Sequence, residues 1–178
     1  MKIALTSLRI LLGALFVGHG TQKLFGWFDG HGLEATGDGF ESMGLRPGKK
    51  TAAIAGISEA GGGVLLAAGL ATPLAGAAIT GTMAQAIRTV HAGKGPWASD
   101  GGWEYNAVVI AAVLAIVEQG PGPVSLDRAL GTEHSGRAWM FAALAAGLAG
   151  PAVTTMLLEK SAGDRTEATG PESDEEAS

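Results

Sequence analysis

The sequence predicts an all-α membrane protein: a polytopic transmembrane four-helix bundle with a fifth helix near the C-terminus. Hydrophobic residues make up 47% of the chain and charged residues only 16%, whereas a soluble domain carries about a quarter charged residues. The chain also contains 29 glycines, and small residues allow close helix packing in lipid, where apolar burial does not drive association. No basic patch is present, so nucleic acid is not expected as a partner.

Four apolar stretches are each about as long as a helix that crosses a bilayer. They cover residues 5–26, 51–70, 73–91 and 103–119. The segment between the first two is polar and rich in glycine, with a short amphipathic piece at residues 40–45. A fifth stretch, residues 138–158, is also long enough to span, although Gly150-Pro151 favours a kink. A re-entrant or interfacial placement is the alternative for this stretch.

We expect three parts in the chain. Residues 1–130 form the four-helix transmembrane domain, residues 131–160 a connector and the fifth helix, and residues 161–178 a disordered acidic tail. The tail has too few apolar residues to bury a core. The N-terminus begins like a signal peptide, but its apolar run is too long and no small-residue cleavage site ends it, so an uncleaved first helix is expected.

Ionisable residues inside the apolar stretches are the main functional signal, because they are costly in lipid and usually mark a site or a pairing partner. Antiparallel threading brings the end of the first stretch and the start of the second to one membrane face. At about 1.5 Å per residue, His19 lies about 10 Å below that face and Glu59 about 12 Å. We therefore predict a polar pocket, open toward that face and lined by His19, Lys23, Glu59, Arg88 and Glu104.

Four further residues are expected to support this pocket. Gly20 shares a helical stripe with Lys23, and Arg9 lies on the same stripe near the opposite face, shallow enough to snorkel. His91 lies at the edge of the pocket, and Tyr105 belongs to an aromatic belt at the membrane surface. The competing interpretation is structural: the charges pair only to fix the register of the helices.

The absence of cysteine limits the chemistry that the chain can perform alone. It excludes disulfides, a CxxC redox pair and thiolate metal sites. His19 and His91 have no partner at metal-ligand spacing, so no metal site is expected. Redox chemistry would need a partner protein or a bound cofactor, and a quinone is the cofactor class considered. The expected partner is the lipid bilayer, with soluble redox enzymes and a homo-oligomer left open.

The order and spacing of short motifs resemble those of the DoxX family of small bacterial membrane proteins. The motifs are Arg9-x3-Gly13-x2-Phe16, Gly20-x2-Lys23, Gly44-Leu45-x-Pro47, Glu59-x-Gly61-Gly62, Lys94-Gly95-x-Trp97, Gly102-x-Glu104-Tyr105 and Gly120-Pro121-Gly122-x2-Ser125-Leu126-Asp127. The likeness covers residues 3–130 and implies a four-helix bundle in the bacterial plasma membrane. The family is similar to a subunit of thiosulfate:quinone oxidoreductases, and other members of the family are associated with redox defence complexes.

The resemblance implies that Arg9, Lys23, Glu59 and Glu104 are the characteristic polar positions. The leading function is then a membrane subunit of a redox-linked complex that binds quinone near one face. Lys23 or His19 would donate a hydrogen bond to a quinone carbonyl, and Glu59 would relay protons. The alternatives are a small-solute transporter or channel, and a non-catalytic membrane anchor for soluble partners.

Overall fold

The computed structural model describes the backbone of residues 2–168 and the side chains of residues 3–158. Within that range the regular elements are helices, with no strand. The helices are α1 (Lys2–Phe25), α2 (Gly32–Ser42), α3 (Gly48–Ala68), α4 (Thr72–Ala86), α5 (Glu104–Gln119), α6 (Leu126–Leu130) and α7 (Arg137–Ala168). A π-helical turn, Ile87–His91, continues α4. The predicted all-helical class is thus confirmed.

Among the described residues, three helices are long and apolar enough to cross a membrane. Their spanning segments are Ile3–Phe25, Gly48–Ala68 and Arg137–Leu158. α4 and α5 have only 15 and 16 residues, which give about 22 and 24 Å of helix. The third and fourth predicted stretches are therefore shorter as α-helices than expected. α4 passes into the π turn, and α5 ends at Gly120, whose φ of 89° no longer continues a helix.

Glycine sets the distance between α1 and α3, which run antiparallel. A Cβ added at Gly20 would come within 2.4 Å of the Ala60 nitrogen and 2.5 Å of the Gly56 carbonyl oxygen. One added at Gly13 would lie 2.5 Å from the Ala67 nitrogen. Because these neighbours are backbone atoms, only glycine permits this approach. Backbone-to-backbone contact of this kind is the packing that holds helices together in lipid.

The core is built by α1, α3, α4 and α5. Its buried side chains are Leu12, Phe16, Leu66, Ala75, Ile79, Met83, Val109, Val113 and Ile116. α7 lies outside this core, packed along α4 and α5, with Gly147 against Thr80 of α4. α2 lies across α1 and α3. The arrangement places α2, the π turn and the loop before α5 at the same end of the molecule.

α7 differs from the predicted fifth helix at its C-terminal end. It runs through Pro151 without a break and continues to Ala168, beyond the predicted end at residue 158. Adding residues to an existing helix needs no new nucleus, so the helix extends through this segment although Gly163, Asp164 and Thr166 are weak helix formers. Residues 169–178, the C-terminal part of the predicted acidic tail, lie outside the described residues.

Candidate functional site

A cavity of about 710 Å³ opens beside α4 and the π turn. We call it the Lys23 cavity. Most of its lining is apolar or small, contributed by α3, α4 and α7, with Phe40 and Met43 of the α2 region at one side. Its ionisable and amide lining residues are His19, Lys23, Glu59, Gln85, His91, Tyr105 and Asn106. The volume falls within the range of about 300–1,000 Å³ that is typical of small-molecule sites.

Lys23 and Glu59 form an ion pair in the wall of this cavity. The Lys23 Nζ lies 2.5 Å from Glu59 Oε2, and the two side chains are 25% and 7% exposed. Lys23 comes from the last turn of α1 and Glu59 from the middle of α3, and the glycine contacts between these helices bring the two together. An ion pair this deep in an apolar helix pair depends on both partners, since removing one leaves a buried charge uncompensated.

His91 is fixed in one tautomer by the loop before α5. Its Nδ1 lies 2.6 Å from the carbonyl oxygen of Gly101. A carbonyl only accepts hydrogen bonds, so Nδ1 carries a proton and donates it to Gly101. His91 ends the π turn, and π turns inside α-helices occur frequently at functional sites.

His19 and Tyr105 also line the cavity, but both are more exposed than Glu59. The His19 ring stands edge-on to Phe16, with ring centroids 6.2 Å apart, and its Nδ1 lies 3.2 Å from Gln22 Oε1. Tyr105 was expected in an aromatic belt, and its exposed ring is consistent with that position as well as with the cavity wall. Both residues therefore lie at the outer part of the cavity.

Arg88 and Glu104 do not line the cavity, contrary to the predicted pocket. Arg88 lies in the π turn, which departs from the regular α-helix that the predicted depth assumed, and its side chain is exposed. Glu104 is the first residue of α5, and its Oε1 accepts a hydrogen bond of 2.9 Å from the Ala98 N–H. Glu104 therefore holds the preceding loop together.

Arg9 lies at the opposite end of α1 and does not snorkel. It is only 1% exposed. Its Nη1 donates to the carbonyl oxygens of Leu66 and Ala67, both at 2.8 Å, and its Nη2 donates to that of Val124 at 2.5 Å. The last carbonyls of α3 have no partner within the helix and carry its negative dipole end. The Arg9 guanidinium donates several hydrogen bonds to these carbonyls, so the side chain stays inside the protein instead of extending to the membrane surface.

Asp127 stabilises the same end from α6. Its carboxylate accepts hydrogen bonds from the N–H groups of Ala71 and Thr72 and from the hydroxyls of Thr72 and Thr132. Burial raises the pKa of Asp127, but these four hydrogen bonds outweigh it and bring the pKa below its ordinary value. Asp127 also interacts electrostatically with Arg9. We call these two residues the Arg9–Asp127 cluster.

Two amide side chains that the sequence analysis missed, Gln85 and Asn106, contribute to the cavity lining. Gln85 Oε1 is buried and has no hydrogen-bond partner among the described residues. The Asn106 Nδ2 donates to Met83 Sδ at 3.4 Å. A signal was available for Gln85, because it lies on α4 only six residues before His91 and is polar within an apolar stretch. Amides are uncharged, so a search for ionisable groups passes over them.

The DoxX family model matches residues 4–92 of the chain. The chain belongs to the DoxX family. The match runs from α1 through the π turn and thus includes Lys23, Glu59 and His91, although it ends before α5. No curated protein and no solved structure matches the chain. Family membership and the three apolar helices identify a DoxX membrane protein.

Proposed function

We propose that this DoxX protein is a multi-pass subunit of a redox-linked complex in the bacterial plasma membrane, and that its Lys23 cavity binds a quinone or the reduced form of one. Residues 1–130 would form the four-helix transmembrane domain and residues 131–160 would add a fifth crossing. The observation that carries the proposal is the Lys23–Glu59 pair, whose carboxylate is buried, in the wall of a largely apolar cavity of about 710 Å³.

The chemistry of the cavity suits an amphipathic ring compound. The Lys23 ammonium supplies hydrogen-bond donors and a positive charge, and the Glu59 carboxylate accepts or returns a proton. Small side chains of α4 and α7, among them Ala77, Gly81 and Ala146, leave apolar room for a ring and its hydrocarbon tail. Because the chain has no cysteine, electrons would pass between the bound ligand and a partner, for which soluble redox enzymes are the proposed class.

Quinone binding by the purified protein in detergent tests this proposal. Glu59→Gln and Lys23→Met are expected to weaken binding at least about tenfold, the effect of losing one charge-assisted hydrogen bond of about 1.5–3 kcal/mol. The matched control is Glu34→Gln, because the Lys49–Glu34 pair is also a salt bridge but is 59% and 77% exposed. Exposed pairs contribute little, so this control should bind normally.

A double variant separates a functional pair from a purely structural one. Lys23→Met with Glu59→Leu removes both charges and should recover much of the stability that either single change loses. Our proposal expects that quinone binding stays weak in the double variant. Binding restored together with stability would show that the pair only holds the helices in register. Solute flux into liposomes that Glu59→Gln abolishes would instead favour a transporter or channel.

A further inference from the structure

The Lys23 cavity extends along one face of α4 into the gap between α3 and α7. Both of these helices pack against α4, but in the described part of the chain they make no extensive contact with each other. Four residues of α4, at steps of four, line the cavity from one side of the helix. They are Leu74, Ala78, Thr82 and Ala86, which are half-buried or exposed. α4 therefore forms the floor of a groove whose walls are α3 and α7.

The two walls meet α4 at the same level. A Cβ added at Gly62 of α3 would lie 3.1 Å from the Ala78 side chain, and one added at Gly147 of α7 would lie 2.7 Å from the Thr80 Cβ. Ala78 and Thr80 are two residues apart, which is about 3 Å along the helix axis. The groove is therefore open sideways between two helices that pass α4 at one depth.

The rim of the groove has the chemistry of a surface that faces lipid. About one turn nearer the π turn, Ser58 of α3 and Gly150 of α7 line the cavity, and both lie within segments long and apolar enough to span a bilayer. The described α7 residues of the lining are uncharged. Thr82 and Thr155, also in the lining, donate their hydroxyl protons to carbonyl oxygens of their own helices at 3.0 and 2.9 Å. These two hydroxyls therefore need no water as a partner.

The end of the cavity nearest the membrane surface is covered by two segments, the α2 region and the loop before α5, which both belong to its lining. The His91 Nδ1 donates to the Gly101 carbonyl oxygen at 2.6 Å and so ties this loop to the π turn. α2 packs so closely on the start of α3 that a Cβ added at Gly37 would lie 2.8 Å from the Lys49 Cα. Both covers are therefore held in place by contacts of their own.

We infer that the ligand of the Lys23 cavity enters from the bilayer, through the opening between α3 and α7, and leaves by the same route. An amphipathic compound dissolved in the membrane suits this route, because its apolar tail remains in an apolar environment while its polar ring reaches Lys23 and Glu59. A compound dissolved in water would have to displace a cover or cross hydrocarbon. The inference rests on the proposed function for the identity of the ring, whereas the opening rests on the geometry of the groove.

A nitroxide attached at Thr82→Cys tests the opening without any ligand. The chain has no cysteine, so the introduced thiol alone takes the label, and Thr82 lies in the floor of the groove. In liposomes, oxygen, which concentrates in lipid, should reach the nitroxide, whereas a water-soluble nickel chelate should not. Lys94→Cys, at an exposed position of the loop before α5, is the control and should be reached by the chelate. Access of the chelate to the Thr82 label, or access of neither agent, would overturn the inference.

A cross-link across the opening tests the route for a long-tailed quinone. Ser58→Cys combined with Gly150→Cys places one thiol on each wall, and a bifunctional thiosulfonate joins the two thiols through reducible disulfides. In liposomes, cross-linking before the quinone is added should abolish binding, cross-linking after it is bound should abolish release, and reduction should restore both. The matched control is the same double variant treated with methyl thiosulfonate. This reagent caps both thiols without joining the walls, so binding and release should persist.

The outcomes separate this inference from the proposed function. Quinone that still binds to, or still leaves, the cross-linked protein overturns the inference and leaves a quinone-binding subunit intact. The ligand would then pass by another side of the cavity, such as the one where His19 and Tyr105 are exposed. If no quinone binds the parent protein, the proposed function fails, and the nitroxide at Thr82→Cys alone decides whether the cavity opens to lipid.

Discussion

The two ends of α1 each place a cation against α3, and the structure satisfies the two cations differently. Arg9 gives its terminal nitrogens to three backbone carbonyls and lies fully inside the protein. Lys23 pairs with a single carboxylate in the wall of a cavity of about 710 Å³. A charge in an apolar helix is therefore a weak functional signal by itself. The partners that satisfy the charge, and the space next to it, decide its role.

The largest effect is expected from removing Arg9. We call the end of the molecule where Arg9 and Asp127 lie, away from the Lys23 cavity, the closed end. Arg9→Met removes the side-chain donor from the carbonyls of Leu66, Ala67 and Val124, of which Leu66 keeps the Gly69 N–H. Hydrogen bonds to charged groups contribute about 1.5–3 kcal/mol each. The free energy of unfolding in detergent should fall by at least about 3 kcal/mol. Arg88→Met, at an exposed arginine, should change it by less than about 0.5 kcal/mol. Equal effects from the two variants would contradict a structural role for Arg9.

Glycine substitutions test the close contact between α1 and α3, which positions the residues at both ends of α1. Gly20→Ala forces α1 away from backbone atoms of α3, and overpacking costs about 1–3 kcal/mol. It should also weaken ligand binding, because the Lys23–Glu59 distance depends on this approach. Gly61→Ala, where an added Cβ has no neighbour within 4 Å, should leave ligand binding unchanged and should not lower stability, because alanine favours a helix interior by about 1 kcal/mol over glycine. Unfolding in detergent and ligand titration measure the two effects.

Acid should weaken the closed end through Asp127. The folded pKa of Asp127 is lowered, so its contribution is complete above the unfolded pKa of about 3.9 and is lost as the pH falls through the lower folded pKa. At pH 7, Asp127→Asn should reduce the free energy of unfolding by about 1–2 kcal/mol, as for a lost helix cap. This difference should shrink below about pH 4. A difference independent of pH would contradict the assignment to the carboxylate.

The smallest stability effect is expected in the lining of the Lys23 cavity. Ala146→Leu fills space in the cavity lining, whereas Ala145→Leu adds the same side chain at the preceding exposed position of α7, which does not line the cavity. Stability should change by less than about 0.5 kcal/mol in both. Affinity for a long-tailed ligand should fall severalfold only in Ala146→Leu. Loss of affinity in both variants would place the tail elsewhere.

Much of the candidate site followed from the sequence, because helical spacing is a local property. The spacing placed His19 and Lys23 on neighbouring turns and put Glu59 at a matching depth on the returning helix. Helical spacing did not place Arg88 correctly, because a π turn replaces regular α-helix there. It also did not place Glu104, whose carboxylate accepts a hydrogen bond from the Ala98 N–H in the preceding loop. It also missed Gln85, because an unpaired oxygen can be recognised only when every neighbour is known.

The sequence by itself determined the helical class, the apolar segments and the DoxX family, since periodicity, composition and motif order are properties of the chain alone. Only the tertiary structure decided that the Arg9 guanidinium donates its hydrogen bonds to backbone carbonyls and that Lys23 lies beside a cavity. Both outcomes depend on which atoms of α3, α4 and the loop after α5 reach each cation. That depends on helix contacts of a few ångströms, and spacing along a chain does not specify distances of this kind between helices.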